Sequence, residues 1–245
     1  MQKRVLITGA LGGIGQALCK IFKENDWWVI GMDKRIDGNA PYCDMALSKD
    51  INLFCIDEEY RNTQLELLKD YSGNELHALV NNAAIQLLDK TDDIKINDWQ
   101  ETMNVNLTGP MLLSQAMLPL LEKNNGAVVN IASIHQQLTK PRFVSYATSK
   151  SALVGLTKAM AVDVAGRINI NCISPAAIET DMLRAGFNND ENAIMALKKL
   201  HPAQRIGYPE EVAKLAVFLT TDEAKFINGA NLQLDGGISS VLHDL

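Results

Sequence analysis

The chain has 245 residues, 47% hydrophobic and 21% charged, which is ordinary globular usage and enough to build a sizeable core without disulfides or metals. A formal net charge of −6 argues against nucleic acid or an anionic membrane as partner. The four cysteines form no CxxC pair and no zinc spacing with His, so no metal site is expected, and no apolar stretch approaches the ~18 residues of a membrane span. The basic Met1-Gln2-Lys3-Arg4 leads into an apolar run of only Val5 to Ile7, too short for a secretory signal, so a cytoplasmic protein is the expectation.

In chain order, short β-type runs alternate with helical periodicity, the pattern of βαβ units and a parallel sheet. Arg4 to Thr8 predicts a first strand, followed by a glycine-rich turn and a helix with Ile14, Ala17, Leu18, Ile21 and Phe22 on one face. Trp27 to Met32 predicts a second strand, ending at Asp33. Residues 34 to 51 are polar and broken by Gly38 and Pro41, which predicts a loop. Asn52 to Ile56 is then expected as a third strand, with a helix over about 58 to 71. Further strands are expected at Leu76 to Val80, Ala127 to Ala132, Ile168 to Ile173 and Asn231 to Leu234. Helices are expected over roughly 97 to 122, 145 to 165 and, in pieces, 181 to 200, with another starting at Pro209. The absence of repeats and linkers predicts one doubly wound α/β domain over 1–245, with ligands beyond the carboxyl ends of its strands.

Two groups of residues fall at that edge. Thr8-Gly9-Ala10-Leu11-Gly12-Gly13-Ile14-Gly15 joins the first strand to the first helix. Residues without Cβ let the backbone turn tightly and approach a pyrophosphate, and the helix start offers free N–H groups and a positive dipole end. Asp33 follows at the end of the second strand. A carboxylate there accepts bonds from the adenosine ribose hydroxyls and repels a 2′-phosphate, which favours NAD over NADP; Lys34 and Arg35 beside it leave NADP as the alternative. Asp57, read as the end of the third strand, is either an adenine-edge contact or a helix N-cap.

The second group carries chemistry. Tyr146 and Lys150 stand at i and i+4, one helical turn apart on one face. A free phenol titrates near 10, and bringing it to about 7 needs roughly 4 kcal/mol, a size two close cations can supply in a partly dry site. Ser133 ends the fifth strand and can hold a substrate oxygen beside the phenol. Asn106, on the preceding long helix, can hold a water behind Lys150.

Taken together these residues resemble the short-chain dehydrogenase/reductase family, in its single-domain subgroup. The resemblance rests on Thr8-Gly9…Gly13-Ile14-Gly15, Asn81-Asn82-Ala83-Ala84, Asn106, Ser133, Tyr146…Lys150, Asn171-Cys172-Ile173-Ser174-Pro175 and Ile227-Asn228-Gly229…Asp235-Gly236-Gly237. It implies a Rossmann-type, seven-stranded parallel sheet flanked by helices. It implies cofactor contacts from Gly9, Leu11, Gly12, Gly13, Ile14, Asn81, Ala83 and Pro175, with Lys150 also on the nicotinamide ribose, and the Ile178 backbone and Thr180 hydroxyl on the carboxamide. It implies a homotetramer or homodimer built through the two long helices and the last strand. Three departures stand out: Ala84 and Ala176 replace the usual glycines, Ala176 being strained if its φ is positive, and the segment near Gly166-Arg167 is about one residue short.

The expected reaction is therefore interconversion of an alcohol and a carbonyl with NAD(H), Tyr146 serving as acid and base. His135, Gln136, Gln137 and Phe143 lie between Ser133 and Tyr146, and their polar members suit a hydroxylated small molecule such as a sugar derivative. Asp181 to Leu200 is a lid candidate. Two other readings stay open: an NADP(H)-dependent carbonyl or 3-oxoacyl thioester reductase, and a non-catalytic dinucleotide sensor.

Overall fold

The computed structural model describes residues 2–242; Met1 and residues 243–245 lie outside this range. Seven strands form one sheet in the order β3-β2-β1-β4-β5-β6-β7, and every pairing is parallel. The strands are β1 (Arg4–Thr8), β2 (Trp28–Asp33), β3 (Met45–Ser48), β4 (Ala78–Asn81), β5 (Ala127–Ile131), β6 (Asn169–Pro175) and β7 (Asn231–Leu234). The order reverses between β1 and β4, which opens a crevice at their carboxyl ends.

The five inner strands are buried on both faces, and their alternation sorts apolar side chains into two layers. Val5 and Ile7 of β1 pack on one side with Leu18 and Phe22 of α1 (Gly13–Glu24) and with Val212 and Ala216 of α9 (Pro209–Phe218). Leu6, between them, faces the other way. It joins Leu68 of α3 (Glu58–Tyr71), Leu113 and Leu121 of α5 (Gly109–Glu122), and Ala161 of α6 (Val144–Asp163). After β6 come α7 (Asp181–Gly186) and α8 (Glu191–Leu200), the two helical pieces expected over 181 to 200.

Two expectations are corrected. Ile51–Ile56 is a helix, α2, not a strand: the Asp50 carboxylate accepts from Asn52 N and Leu53 N and starts it. The third strand is Met45–Ser48, inside the segment expected to be a loop. The helical region at 97 to 122 is also interrupted. It runs as α4 (Ile96–Met103), a wide π-type turn over Asn104–Thr108, and α5.

Ala176 is not strained: it is absent from the non-glycine residues with positive φ, and its N–H donates to Leu234 O at 3.1 Å. After α6 the chain turns tightly, with Gly166 at φ +80°. No described helix is long and apolar enough to cross a membrane, and the described residues hold no metal-binding cluster.

Candidate active site

The turn after β1 is shaped by close approach. Gly9 has φ +67°, and a Cβ there would lie 2.8 Å from Ala83 Cα; a Cβ on Gly15 would overlap the Gly9 carbonyl, and one on Gly13 would sit 2.7 Å from Thr180 Cγ2. Only hydrogen fits at these three positions, so the backbone itself forms the surface of the turn. Thr8 pins it from below, its hydroxyl accepting from Asn82 N and Ala83 N, both at 3.0 Å. The Asn82 amide donates to Thr8 O and Gly9 O. Ala83 thus backs the turn. Asn81 does not face the groove with its side chain: it is 2% exposed and donates into the interior, to Asn130 Oδ1 at 2.8 Å and to Ser114 Oγ. Asn82, which the motif contained but the residue-by-residue reading passed over, is the amide that holds the turn.

Asp33 stands where the second strand ends, buried and linked to the turn by Leu11 N, which donates to its Oδ2 at 3.1 Å. Arg35 lies across the same carboxylate, with its backbone N and Nε on Oδ1 and its Nη2 on Oδ2. Burial raises the Asp33 pKa, but the hydrogen bonds from Arg35 and Leu11 outweigh it and hold the carboxyl below its ordinary value.

Asp57 follows the helix α2, not a strand; it caps α3, accepting from Tyr60 N at 2.9 Å, which is the second of the two alternatives for it. The residue level with Asp33 in the sheet is Ser48, at the end of the true third strand, and Lys49 N donates to Asp33 O. These two were missed because β3 was hidden in a polar segment.

The second group converges at the other side of the crevice. Lys150 is 2% exposed and donates from Nζ to Ile131 O, the last carbonyl of β5, at 2.8 Å. Its amine stands 5.7 Å from the centre of the Tyr146 ring. Burial brings the Lys150 pKa down to about 8, so the amine still carries its proton at neutral pH. Burial pushes the Tyr146 phenol above its ordinary value, and a hydrogen bond with Ser133 works against that. Ser133 also accepts from His135 N at 3.2 Å, which fixes its hydroxyl at the strand end.

The Asn106 side chain makes three hydrogen bonds: Oδ1 accepts from Ile85 N, and Nδ2 donates to Ile85 O and Ser149 Oγ. It ties the π-type turn to the segment after β4 and to Ser149, the residue just before Lys150.

Around the phenol lies an aromatic wall. The His135 ring stacks on Phe143 at 4.4 Å and meets Tyr146 edge-on at 5.8 Å. Lys140 Nζ sits 4.6 Å over Phe143 and 5.7 Å over Phe187, which follows α7, so this cation joins the wall to the lid segment. Burial lowers the His135 pKa to about 4, and the ring is neutral at physiological pH. Gln136 is half-buried, its carbonyl accepting from Ser151 Oγ, while Gln137 reaches out to Gln233. On the far side of the crevice Pro175 ends β6 and Ile178 is buried. The Thr180 hydroxyl caps α7, accepting from Leu183 N at 3.2 Å.

The residues present fit a nicotinamide dinucleotide. The side-chain-free turn at a helix start would receive a pyrophosphate, Asp33 and Ser48 at the ends of β2 and β3 would flank an adenosine, and Tyr146, Ser133 and Lys150 stand at the opposite end.

Comparison with known proteins agrees with this geometry. The family model described as enoyl-(acyl carrier protein) reductase matches residues 9–239. The chain is 35% identical to an NAD-dependent glycerol dehydrogenase of Listeria innocua, over 96% of this chain and 93% of that protein. It is 34% identical to the 3-oxoacyl-[acyl-carrier-protein] reductase of Vibrio harveyi, over 98% of each. The ligand-free structure of Thermoplasma acidophilum aldohexose dehydrogenase superposes with a TM-score of 0.92 at 30% identity, covering 100% of this chain and 96% of that one. Similar solved structures include NADP-bound and NADH-bound forms. With the phosphate turn, the crevice and the Ser-Tyr-Lys group all in one seven-stranded fold, the chain belongs to the short-chain dehydrogenase/reductase family and is an oxidoreductase acting on alcohol and carbonyl groups.

Proposed function

We propose that this enzyme interconverts a secondary alcohol and a ketone in a small polyhydroxylated substrate, using NAD(H) and Tyr146 as acid and base. The observation that carries the proposal is the convergence of Tyr146, Ser133 and the buried Lys150 beside a wall containing a neutral histidine. When bound, the nicotinamide ring gives or accepts the hydride and, in its oxidised form, brings a positive charge. The Ser133 hydroxyl orients the substrate oxygen against the Tyr146 hydroxyl. Tyr146 hands its proton to that oxygen in reduction and takes it back in oxidation. Its raised pKa keeps it loaded as an acid at neutral pH, and the adjacent Lys150 cation lowers the cost of the phenolate once the proton has left. Asn106 acts by holding Ser149, and with it this turn of α6, in place.

NAD is favoured because the Asp33 carboxylate offers acceptors to ribose hydroxyls and repels a 2′-phosphate. The hydroxylated substrate class is supported by His135 and Gln136 beside the phenol, and by the glycerol and aldohexose dehydrogenases among the similar proteins. Assembly as a homotetramer or homodimer is supported by bulky apolar side chains left in water, Val162 on α6 at 79% exposure and Phe226 at 103%.

The test is absorbance at 340 nm across sugars, polyols, simple ketones and 3-oxoacyl thioesters, with both nucleotides. Turnover of a polyol or sugar with NAD is expected. Turnover confined to thioesters with NADPH replaces the proposed substrate and cofactor, and a nucleotide held without any turnover replaces catalysis by sensing. Tyr146→Phe is expected to cut kcat by at least about 100-fold while NADH binding, followed by fluorescence, is retained.

A further inference from the structure

Two thiols outside the catalytic group are in contact. Cys19, on the inward face of α1, and Cys43, in the connection between β2 and β3, have their sulfurs 3.6 Å apart. Gly31 of β2 makes room for this: a Cβ there would run into Cys43 Sγ. The residue after the pair is anchored, since Asp44 accepts from Val29 N at 2.8 Å and pairs with Lys23 of α1. The segment before it is largely exposed, at residues 34, 35, 37–39, 41 and 42. Cys43 is half-buried and open to a reagent, whereas Cys19 is wholly buried behind it. The other two thiols have different surroundings: Cys55 donates to Asn104 O and Cys172 to Asn231 Oδ1.

We infer that Cys19 and Cys43 form a redox-responsive dithiol, a modification site at which a low-molecular-weight disulfide closes a Cys19–Cys43 bond and clamps the β2–β3 connection onto α1. The sulfurs need to approach only from 3.6 Å to about 2 Å, and the exposed run ahead of Cys43 can supply that movement. The order of events follows from exposure and acidity. The neighbouring Cys19 thiol holds the Cys43 thiol below its ordinary pKa, while burial and the same contact push Cys19 up.

Cys43, as thiolate, attacks one sulfur of the small disulfide RSSR, giving a Cys43–S–S–R mixed disulfide and releasing one RS⁻. Cys19 then attacks the Cys43 sulfur, and its proton passes to the departing RS⁻, which leaves as the second RSH. Two protein thiols are oxidised to one disulfide, and RSSR is reduced to two RSH. The bond lies beneath the nucleotide turn, because Gly31 also abuts Ala10, whose N–H donates to Met32 O.

The experiment incubates the full chain with oxidised glutathione and reads intact mass, free thiols after denaturation, and thermal unfolding. The expected result is a loss of about 2 Da, a fall from four titratable thiols to two, a tryptic cross-link between Cys19 and Cys43, and a higher unfolding temperature reversed by dithiothreitol. Cys19→Ser is expected to stop at a stable glutathione adduct on Cys43, and Cys43→Ser to stay unmodified at both positions. Because Cys43 is half-exposed, its serine variant keeps the fold even if that of Cys19 does not. A wild-type protein that keeps four free thiols, or that stops at the adduct without closing, overturns the inference.

Discussion

At the residue scale, the adenosine end of the crevice is set by one carboxylate that has to serve several donors. The two oxygens of Asp33 already accept from Leu11 N and from three nitrogens of Arg35. A carboxylate has about four acceptor positions, so ribose hydroxyls must displace some of these donors. The dispensable one is the Arg35 guanidinium, since that side chain is 61% exposed and its ion pair is worth little once solvated. On the proposed reading Arg35 and Asp33 would pull cofactor choice in opposite directions: the arginine would offer a 2′-phosphate a partner, and the aspartate would repel it. Asp33→Ala is expected to narrow the ratio of kcat/KM for NAD over NADP by at least about tenfold, the size of one lost charge-assisted hydrogen bond. Arg35→Ala is expected to widen it by a smaller factor. Steady-state kinetics with both nucleotides checks the pair, and a ratio that moves the same way in both variants contradicts this division of labour.

At the element scale, the glycine turn and the start of α7 form one unit, because Gly13 and Thr180 touch. A Cβ on Gly13 would stand 2.7 Å from Thr180 Cγ2 and 3.0 Å from its Cβ. Gly13→Ala is expected to push α7 off the turn and weaken NADH binding by about tenfold or more, the usual scale of 1–3 kcal/mol for overpacking. Thr180→Ser removes the offending methyl but keeps the hydroxyl that caps α7. It is expected to recover a substantial part of the loss in the double variant while changing little alone. Fluorescence titration of NADH across the four proteins measures the coupling, and strict additivity would show that the two residues act separately.

The same scale explains where sequence was a good guide. Alternating apolar residues and long helical periods located six of the seven strands to within two residues. The turn, Asp33, Ser133, Tyr146 and Lys150 were legible because each lies at a strand end or at helical spacing, as the structure now places them. The third strand was not. Asn52 to Ile56 is a short apolar run of a kind that fits a strand or one buried helical turn equally well. What settles it is Asp50 acting as an N-cap, while β3 itself is only four residues long. That one exchange put Asp57 at a strand end, where the structure has Ser48. The surroundings of the Asn106 amide were not legible for a different reason. Its partners, Ile85 and Ser149, are 21 and 43 residues away, and only tertiary structure brings them together.

At the scale of the whole molecule, catalysis and stability compete through a single buried amine. The folded state holds the Lys150 pKa at about 8, against an ordinary 10.5. Between these values the unfolded chain binds more protons than the folded one, so Lys150 makes stability rise with pH through that window. Below pH 8 the penalty is fully present, at about 3 kcal/mol for a group this buried. Above pH 9 other groups act in the opposite sense: Cys55 and Cys172 have raised pKa values near 11, and Tyr146 is raised as well, so the unfolded chain ionises first and stability falls. The total profile therefore mixes signs, and a difference between variants isolates the lysine. Lys150→Met keeps the length and apolar bulk of the side chain. At pH 7 it is expected to be at least as stable as wild type while turnover collapses, and its advantage is expected to shrink by about 2–3 kcal/mol on going from pH 8 to 10.5. Urea unfolding of both proteins across that range measures it. A difference that stays constant with pH would mean that Lys150 titrates no differently in the folded and unfolded chains, and that the amine beside Tyr146 is solvated rather than held dry.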